Sequence, residues 1–370
     1  VRADATVVGS ASIAMQRIRR GTSTVQAAPP FMSIPLGTTV IDADVIGALM
    51  GLEVSAVVSA TEIVMGQRTA SLRGAQAGDV ITLRSAFGGE VDFTIGAVVA
   101  DEIAGGTELL MTPEGAQRLA LNRKSRVVMW GFDSRSAVDT ALADQGLVST
   151  RIRIRRSWDP FDPDTTLGMA QAKELLGEFG YRVESSGAVT QEAAWAAANL
   201  PPGRRLLNAS IPIRARCHLT IEPALKAAFA EAAAAGVGGV FDVEIANIAG
   251  GCHNARFSRL ANSSTIGFLS RHSWGMAIDT NTLGSCQGCD PPDFATEPGG
   301  CTAVRIFRKH GFAWGGNFLT PDGMHFEYVG ERRDTFPYPS RYCPNIVDNS
   351  LLDPDAELPV EMTQRATIFA

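Results

Sequence analysis

Between residues 38 and 130 the chain is dense in Val, Ile and Thr and is punctuated by Gly. Within that stretch Val80-Ile81-Thr82-Leu83 and Val91-Asp92-Phe93-Thr94-Ile95 flank Gly88-Gly89. Runs of Val, Ile and Thr on both sides of a glycine turn predict strands joined as a hairpin. Thr112-Pro113-Glu114 then supplies an N-cap, a proline at the first helical position and an early acid, which predicts a short helix running to about Leu121. Val127-Val128-Met129-Trp130 returns to strand. Residues 1–150 therefore read as a β-rich α+β domain.

Residues 157–165 run Ser-Trp-Asp-Pro-Phe-Asp-Pro-Asp-Thr, where two prolines resist helix and Asp and Thr suit turns, so a linker is expected over residues 151–165. Helical patterns follow over residues 166–179, 191–199 and 221–235, the last tolerating Pro223 in its first turn. After Gly236 the chain is expected to turn strand-like. This order assigns residues 166–345 to a second domain, also α+β. Residues 346–370, with Asp353-Pro354-Asp355 and Leu358-Pro359, read as an extended tail. The longest apolar run, residues 224–240, is interrupted by Lys226, Glu231 and several glycines. It falls short of the roughly 18–20 apolar residues needed to cross a bilayer, so no membrane span is expected within this chain.

With 45% hydrophobic and 19% charged residues the chain has the composition of one that buries cores. Its 33 basic residues are scattered among 39 acidic ones, for a net charge of −6, which argues against nucleic acid or an anionic membrane surface as a partner. All six cysteines (Cys217, Cys252, Cys286, Cys289, Cys301 and Cys343) lie in the second half. An even, clustered set predicts disulfides, and with them a secreted or extracytoplasmic protein. A start at Val1 rather than Met agrees with a removed signal peptide or an upstream anchor. Cys286-x-x-Cys289 with Cys301 is also the beginning of a thiolate zinc site, but no fourth ligand stands nearby.

The candidate chemistry lies in Ser270-Arg271-His272-Ser273-Trp274-Gly275-Met276-Ala277-Ile278-Asp279 and in Asp322-Gly323-Met324-His325-Phe326-Glu327. Two histidines and one aspartate are the donor set of an open zinc site, which keeps a position for water. On one straight helix His272 and Asp279 would stand about 10 Å apart along the axis, too far to share a metal. A bent segment is required, and Gly275 can supply the hinge. His272 is therefore expected on a loop, Asp279 on a strand where it shares a face with Ala277, and His325 on a neighbouring strand.

Ser-x-His-x-x-Gly-x-Ala-x-Asp followed by Asp-x-x-His-Phe-Glu resembles the zinc D-Ala-D-Ala carboxypeptidases of the VanY type and the related L-alanyl-D-glutamate endopeptidases. The resemblance covers roughly residues 191–328 and leaves the first 150 outside it. It implies a hedgehog-like or DD-peptidase-like domain, with a small antiparallel sheet flanked by helices. It further implies Zn2+ held by His272, Asp279 and His325, and Asp322 in the place of the family's catalytic acid, where members carry Glu or Asp. Peptidoglycan stem peptides of a bacterial cell envelope would be the substrates. The family's upstream Arg, set against the oxyanion, corresponds to Arg256, with Arg259 as the alternative. Ser270 and Trp314 would line the substrate cleft, and Glu327, on the strand face of His325, could orient a ligand. Residues 1–150 are faintly similar in pattern to the extracytoplasmic domains of ABC-type permeases, which leaves a membrane-complex partner open.

Two other readings compete. A hedgehog-like module could bind cell wall or protein through a structural metal, but such a module would be expected to lack the carboxylate at Asp322. The facial triad of non-haem iron oxygenases also uses two His and one carboxylate, yet it usually starts His-x-Asp, whereas six residues separate His272 from Asp279.

Overall fold

A computed structural model describes residues 4–121, 124–131, 134–146, 160–248, 251–258, 268–281 and 287–347. In the N-terminal half, β1 (Asp4–Arg20), β2 (Ser23–Ala27), β3 (Ile34–Val40), β4 (Glu62–Gly66), β5 (Val80–Arg84), β6 (Glu90–Val99), β7 (Leu109–Met111) and β8 (Lys124–Trp130) form one sheet. Hydrogen bonding runs β1, β3, β7, β4, β6, β5 and back to β1, so these strands close into a barrel. The β3–β7 and β4–β6 pairs are parallel and the rest of the ring is antiparallel. The length of β1 lets one of its edges pass from β8 to β5 and the other from β3 to β2. Ile13, Met15, Leu36, Ile63, Ile81 and Phe93 belong to the barrel's buried core.

The hairpin pattern is realised as β5 and β6, with Ile81 opposite Phe93 and Leu83 opposite Val91. The predicted cap is realised as well: Gly115 N donates to Thr112 Oγ1 at 3.2 Å at the start of the helix Pro113–Arg118. By contrast, β1 to β3 precede the stretch that reads as β. Small residues such as Ser10, Ala11 and Ser12 give β1 little strand signal of its own, and its neighbours on both edges hold it extended.

In the C-terminal half the predicted helices are Met169–Leu176, Ala193–Asn199 and Glu222–Ala234. The first is shorter than its pattern because Gly177, at φ 81°, ends it. The expected strand-like stretch after Gly236 is corrected: residues Val243–Ile248 are helical. Asn247 anchors this turn sideways, its Oδ1 accepting from Arg214 N at 2.6 Å and its Nδ2 donating to Pro212 O at 3.0 Å, so tertiary bonds override a weak local preference. Two small hairpins, β9 (Tyr181–Val183) with β10 (Val189–Gln191) and β11 (Arg205–Leu206) with β12 (Arg214–Ala215), lie between these helices. A three-stranded antiparallel sheet of β13 (Ala277–Asp279), β14 (Phe312–Trp314) and β15 (His325–Tyr328) has β15 at its centre. The helix Gly300–Lys309 packs on it through Phe307, whose ring centre lies 4.3 Å from that of Phe326 and 5.5 Å from that of Phe312. Both halves are thus α+β.

The expected linker is only partly a linker. Residues 151–159 and the tail 348–370 lie outside the described residues. Asp162 and Asp164 are buried, and Arg308 and Arg333 reach them from far along the chain: Arg308 pairs with Asp164, and Arg333 donates to the carbonyls of Pro163 and Thr165. Composition cannot reveal this, because the partners stand more than 140 positions away.

A buried ionic cluster joins the two halves. Lys173 Nζ donates to Glu108 Oε1 at 2.8 Å and lies 3.2 Å from Glu178 Oε2, while Arg73 also pairs with Glu178. Ser33 and Tyr181 exchange backbone hydrogen bonds at 2.8 Å beside this cluster. Burial works against the Glu178 carboxylate, but the charges of Lys173 and Arg73 outweigh it and hold the pKa below its ordinary 4.5. The ionised form therefore contributes stability above that ordinary value, and the contribution is lost as pH falls through the lower folded value. Thermal unfolding followed downward from neutral pH is expected to show this acid limb. Glu178→Gln should be less stable at neutral pH and should converge with the parent in acid. A constant gap between the two at every pH would refute the linkage.

Candidate active site

His272 lies on a 3-10 turn, Arg271–Trp274, capped by Ser270, whose Oγ accepts from His272 N at 3.3 Å. Gly275, in the left-handed region at φ 64°, closes the turn and redirects the chain into β13. A Cβ at Gly275 would come within 3.0 Å of His218 N and of the Leu200 side chain, so the bend is also a close approach. In the antiparallel register Asp279 faces His325 and Ala277 faces Glu327. The bent segment, the shared strand face and the neighbouring strand read from the sequence are all present.

One ligand atom from each of His272, Asp279 and His325 lies within 4.8 Å of the others. His272 Nε2 is 3.1 Å from Asp279 Oδ2, and His325 Nδ1 is 3.0 Å from Asp279 Oδ1. His272 Nδ1 is 2.7 Å from the carbonyl of Cys252. An imidazole that donates its Nδ1 proton to a carbonyl presents the lone pair of Nε2. That Nε2 is buried and faces the Asp279 carboxylate, as two donors to one ion would. The donor set therefore fits a divalent metal of the zinc type.

Burial works to raise the Asp279 carboxyl, but the charges and hydrogen bonds of His272 and His325 outweigh it and hold Asp279 well below the usual carboxylate range. Burial also opposes a charge on His325, yet hydrogen bonds to Asp279 and Glu327 and the nearby charges of Asp279 and Asp322 raise its pKa to about 10. Glu327, 3.5 Å from His325 Nε2, is held on its other side by Arg271 Nε at 3.2 Å.

Asp322 stands on the turn leading into β15: His325 N donates to its carbonyl at 3.1 Å, and its own N–H donates to Gly315 O at 2.9 Å. Arg256 is stitched to the His272 turn, for its carbonyl accepts from Ser270 N at 2.9 Å and from Ser273 Oγ at 3.1 Å. Arg259 lies outside the described residues. Neither of the residues expected at a cleft wall is exposed. Trp314 is wholly buried, its indole N–H donating to Gly323 O at 2.8 Å from within the core. Ser270 is buried too and spends its hydroxyl on the turn. A bulky apolar ring at a strand end and a capping serine serve the fold before they serve a ligand.

Residues 263–328 match the D-alanyl-D-alanine carboxypeptidase family. The matched segment contains His272, Asp279, Asp322 and His325, while Arg256 and the barrel fall outside it. No curated protein matches the chain.

Reading the sequence missed some of the groups that support this matched segment. The carbonyl of Cys252 has no side-chain signal, but the Cys217–Cys252 disulfide marks its place. A second disulfide joins Cys301 to Cys343, and Cys289 is disulfide-bonded, so neither Cys289 nor Cys301 offers a thiolate to a metal. Cys286 lies outside the described residues. Replacing both Cys217 and Cys252 with Ser is expected to cost about 2–5 kcal/mol in denaturant unfolding and to weaken zinc in a chelator competition. The Cys301/Cys343 double variant should lose stability alone. Equal zinc affinity in both variants would separate Cys252 from the metal site.

Proposed function

We propose that the chain is an extracytoplasmic zinc peptidase that hydrolyses the stem peptides of bacterial peptidoglycan, as a D-Ala-D-Ala carboxypeptidase or a related endopeptidase. The observation that carries this reading is the convergence of His272, Asp279 and His325 within a segment that matches the family. The disulfides support an oxidising compartment. Among the described residues no helix is long and apolar enough to cross a membrane; an upstream anchor or a membrane-complex partner is part of this reading.

His272, Asp279 and His325 would hold the zinc, and zinc, when bound, polarises a scissile carbonyl and acidifies the attacking water. The chain's own groups do the rest. Asp322 takes the proton from the water and passes it to the leaving amine. Arg256 sets its guanidinium against the developing oxyanion. Arg271 and Glu327 hold His325 in orientation. The barrel and the hedgehog-like character of the C-terminal domain belong to the same reading, residues 166–345 forming the catalytic domain and residues 1–150 localising or modifying it.

The test is incubation of the zinc-loaded chain with muropeptides of defined stem length, read by mass spectrometry, with Asp322→Ala alongside. Loss of a single terminal D-alanine identifies a carboxypeptidase, and release of a di- or tripeptide an endopeptidase. A folded, zinc-bound protein that yields no product from any stem rejects the enzyme and leaves the binding module.

A further inference from the structure

We propose that Asp164 is a positioning residue for the loop that carries Asp322. The inference rests on the reading of Asp322 as the proton acceptor and goes beyond it, because Asp164 lies outside the segment that matches the family.

Asp164 is fully buried, and its carboxylate receives four donors. Oδ1 accepts from Arg308 Nε at 3.0 Å and from Trp314 N at 2.9 Å; Oδ2 accepts from Arg308 Nη2 at 2.5 Å and from Asn317 Nδ2 at 2.7 Å. An ionised carboxylate is an acceptor only, and its two oxygens have room for about four such bonds, so this one is saturated. Arg308 alone would neutralise it. The two further donors, Trp314 and Asn317, stand immediately before and at the end of the 3-10 turn Gly315–Asn317. Asp164 therefore grips that turn at both ends.

The turn in turn abuts the proposed proton acceptor. Gly315 O accepts from Asp322 N at 2.9 Å. A Cβ added to Gly315 would lie 2.5 Å from the carbonyl oxygen of Asp322, 3.2 Å from its Cβ and 3.1 Å from the Cβ of His325. No slack separates the turn from the backbone of either residue, and close-packed contacts transmit displacement rather than absorb it. A shift of the turn must move Asp322. A carboxylate 158 positions upstream of Asp322 thus sets the place of its loop, from a segment whose composition suggests a tether.

A catalytic carboxylate needs placement to a fraction of an ångström, so loosening the turn should lower turnover rather than binding. The experiment uses the full zinc-loaded chain with Asp164→Asn, Asn317→Ser and Asp322→Asn. Asp164→Asn keeps the shape of the side chain and gives up its charge and part of its acceptor capacity. Asn317→Ser leaves the Asp164–Arg308 pair intact and removes the tie of Asn317 to Asp164 together with its two bonds to the Tyr342 backbone, so it loosens the far end of the turn even if Asp164→Asn does not fold. We expect zinc content and KM to be retained, with kcat lower by roughly 10- to 100-fold, the range typical of outer-shell partners that orient a site. Hydrogen exchange over residues 312–326 should quicken while exchange in the barrel is unchanged. Wild-type kcat in both variants overturns the proposal, and so does a loss expressed only in KM or in zinc content. Full activity in Asp322→Asn would sink the proton-acceptor reading by itself, and the hold of Asp164 on the loop would then be accepted or rejected on hydrogen exchange alone.

Discussion

Asp279→Ala is expected to strip the chain of zinc and to reduce hydrolysis of D-alanyl-D-alanine-terminated peptides to background. Among the described residues Asp279 is the carboxylate that faces both candidate imidazoles, with oxygens 3.1 Å from His272 Nε2 and 3.0 Å from His325 Nδ1. Without it two neutral nitrogen donors remain, and a divalent cation loses its anionic ligand in a buried setting where charge compensation matters most. The fall in zinc affinity should exceed the roughly 10- to 100-fold typical of residues that only orient a ligand. Metal analysis after dialysis against a weak chelator reads the effect directly. Stoichiometric zinc in the variant would remove Asp279 from the ligand set and, with it, the metal reading of the site.

Asp322→Ala should behave in the opposite way, keeping zinc and losing turnover. Its side chain is not needed to gather the three ligand atoms, which converge without it. Its backbone ties to Gly315 and His325 survive the substitution. A positioned general base contributes typically 10²- to 10⁴-fold, so kcat should drop by about that factor while zinc content stays at the parent level. A variant that kept its turnover would sink the assignment of the base, and one that lost zinc would move Asp322 into the metal site.

Much of this site could be read before any coordinates. His272, Gly275, Asp279 and His325 are legible because metal chemistry demands particular side chains and because seven positions cannot share a metal on a straight helix. Roles that rest on surroundings were less legible. Trp314 and Ser270 have the residue types of a cleft wall, yet one fills the core and the other caps a turn. Burial depends on what packs opposite, which a local pattern does not carry. The carbonyl of Cys252 and the backbone of Gly315 are invisible to any reading of side chains, although both bear on the site. The stretch after Gly236 shows the same limit, since the bonds of Asn247 to residues 212–214 decide for helix.

In the barrel, local signals predict the β5–β6 hairpin and the Thr112 cap, whose interactions span at most about a dozen residues. Closure does not follow from them, for it pairs Ala14 with Arg84 and Thr38 with Leu109. From its sequence alone this chain is an α+β protein with two halves, disulfides in the second and a zinc-type donor set there, because periodicity and donor chemistry are properties of neighbouring residues. Only the tertiary structure decided that the barrel closes, that Lys173 and Glu178 lock it to the C-terminal half, and that Asp164 lies behind the Asp322 loop. Each of those depends on a charge or an edge finding its partner across a long loop, where burial makes the pairing obligatory without leaving a local mark.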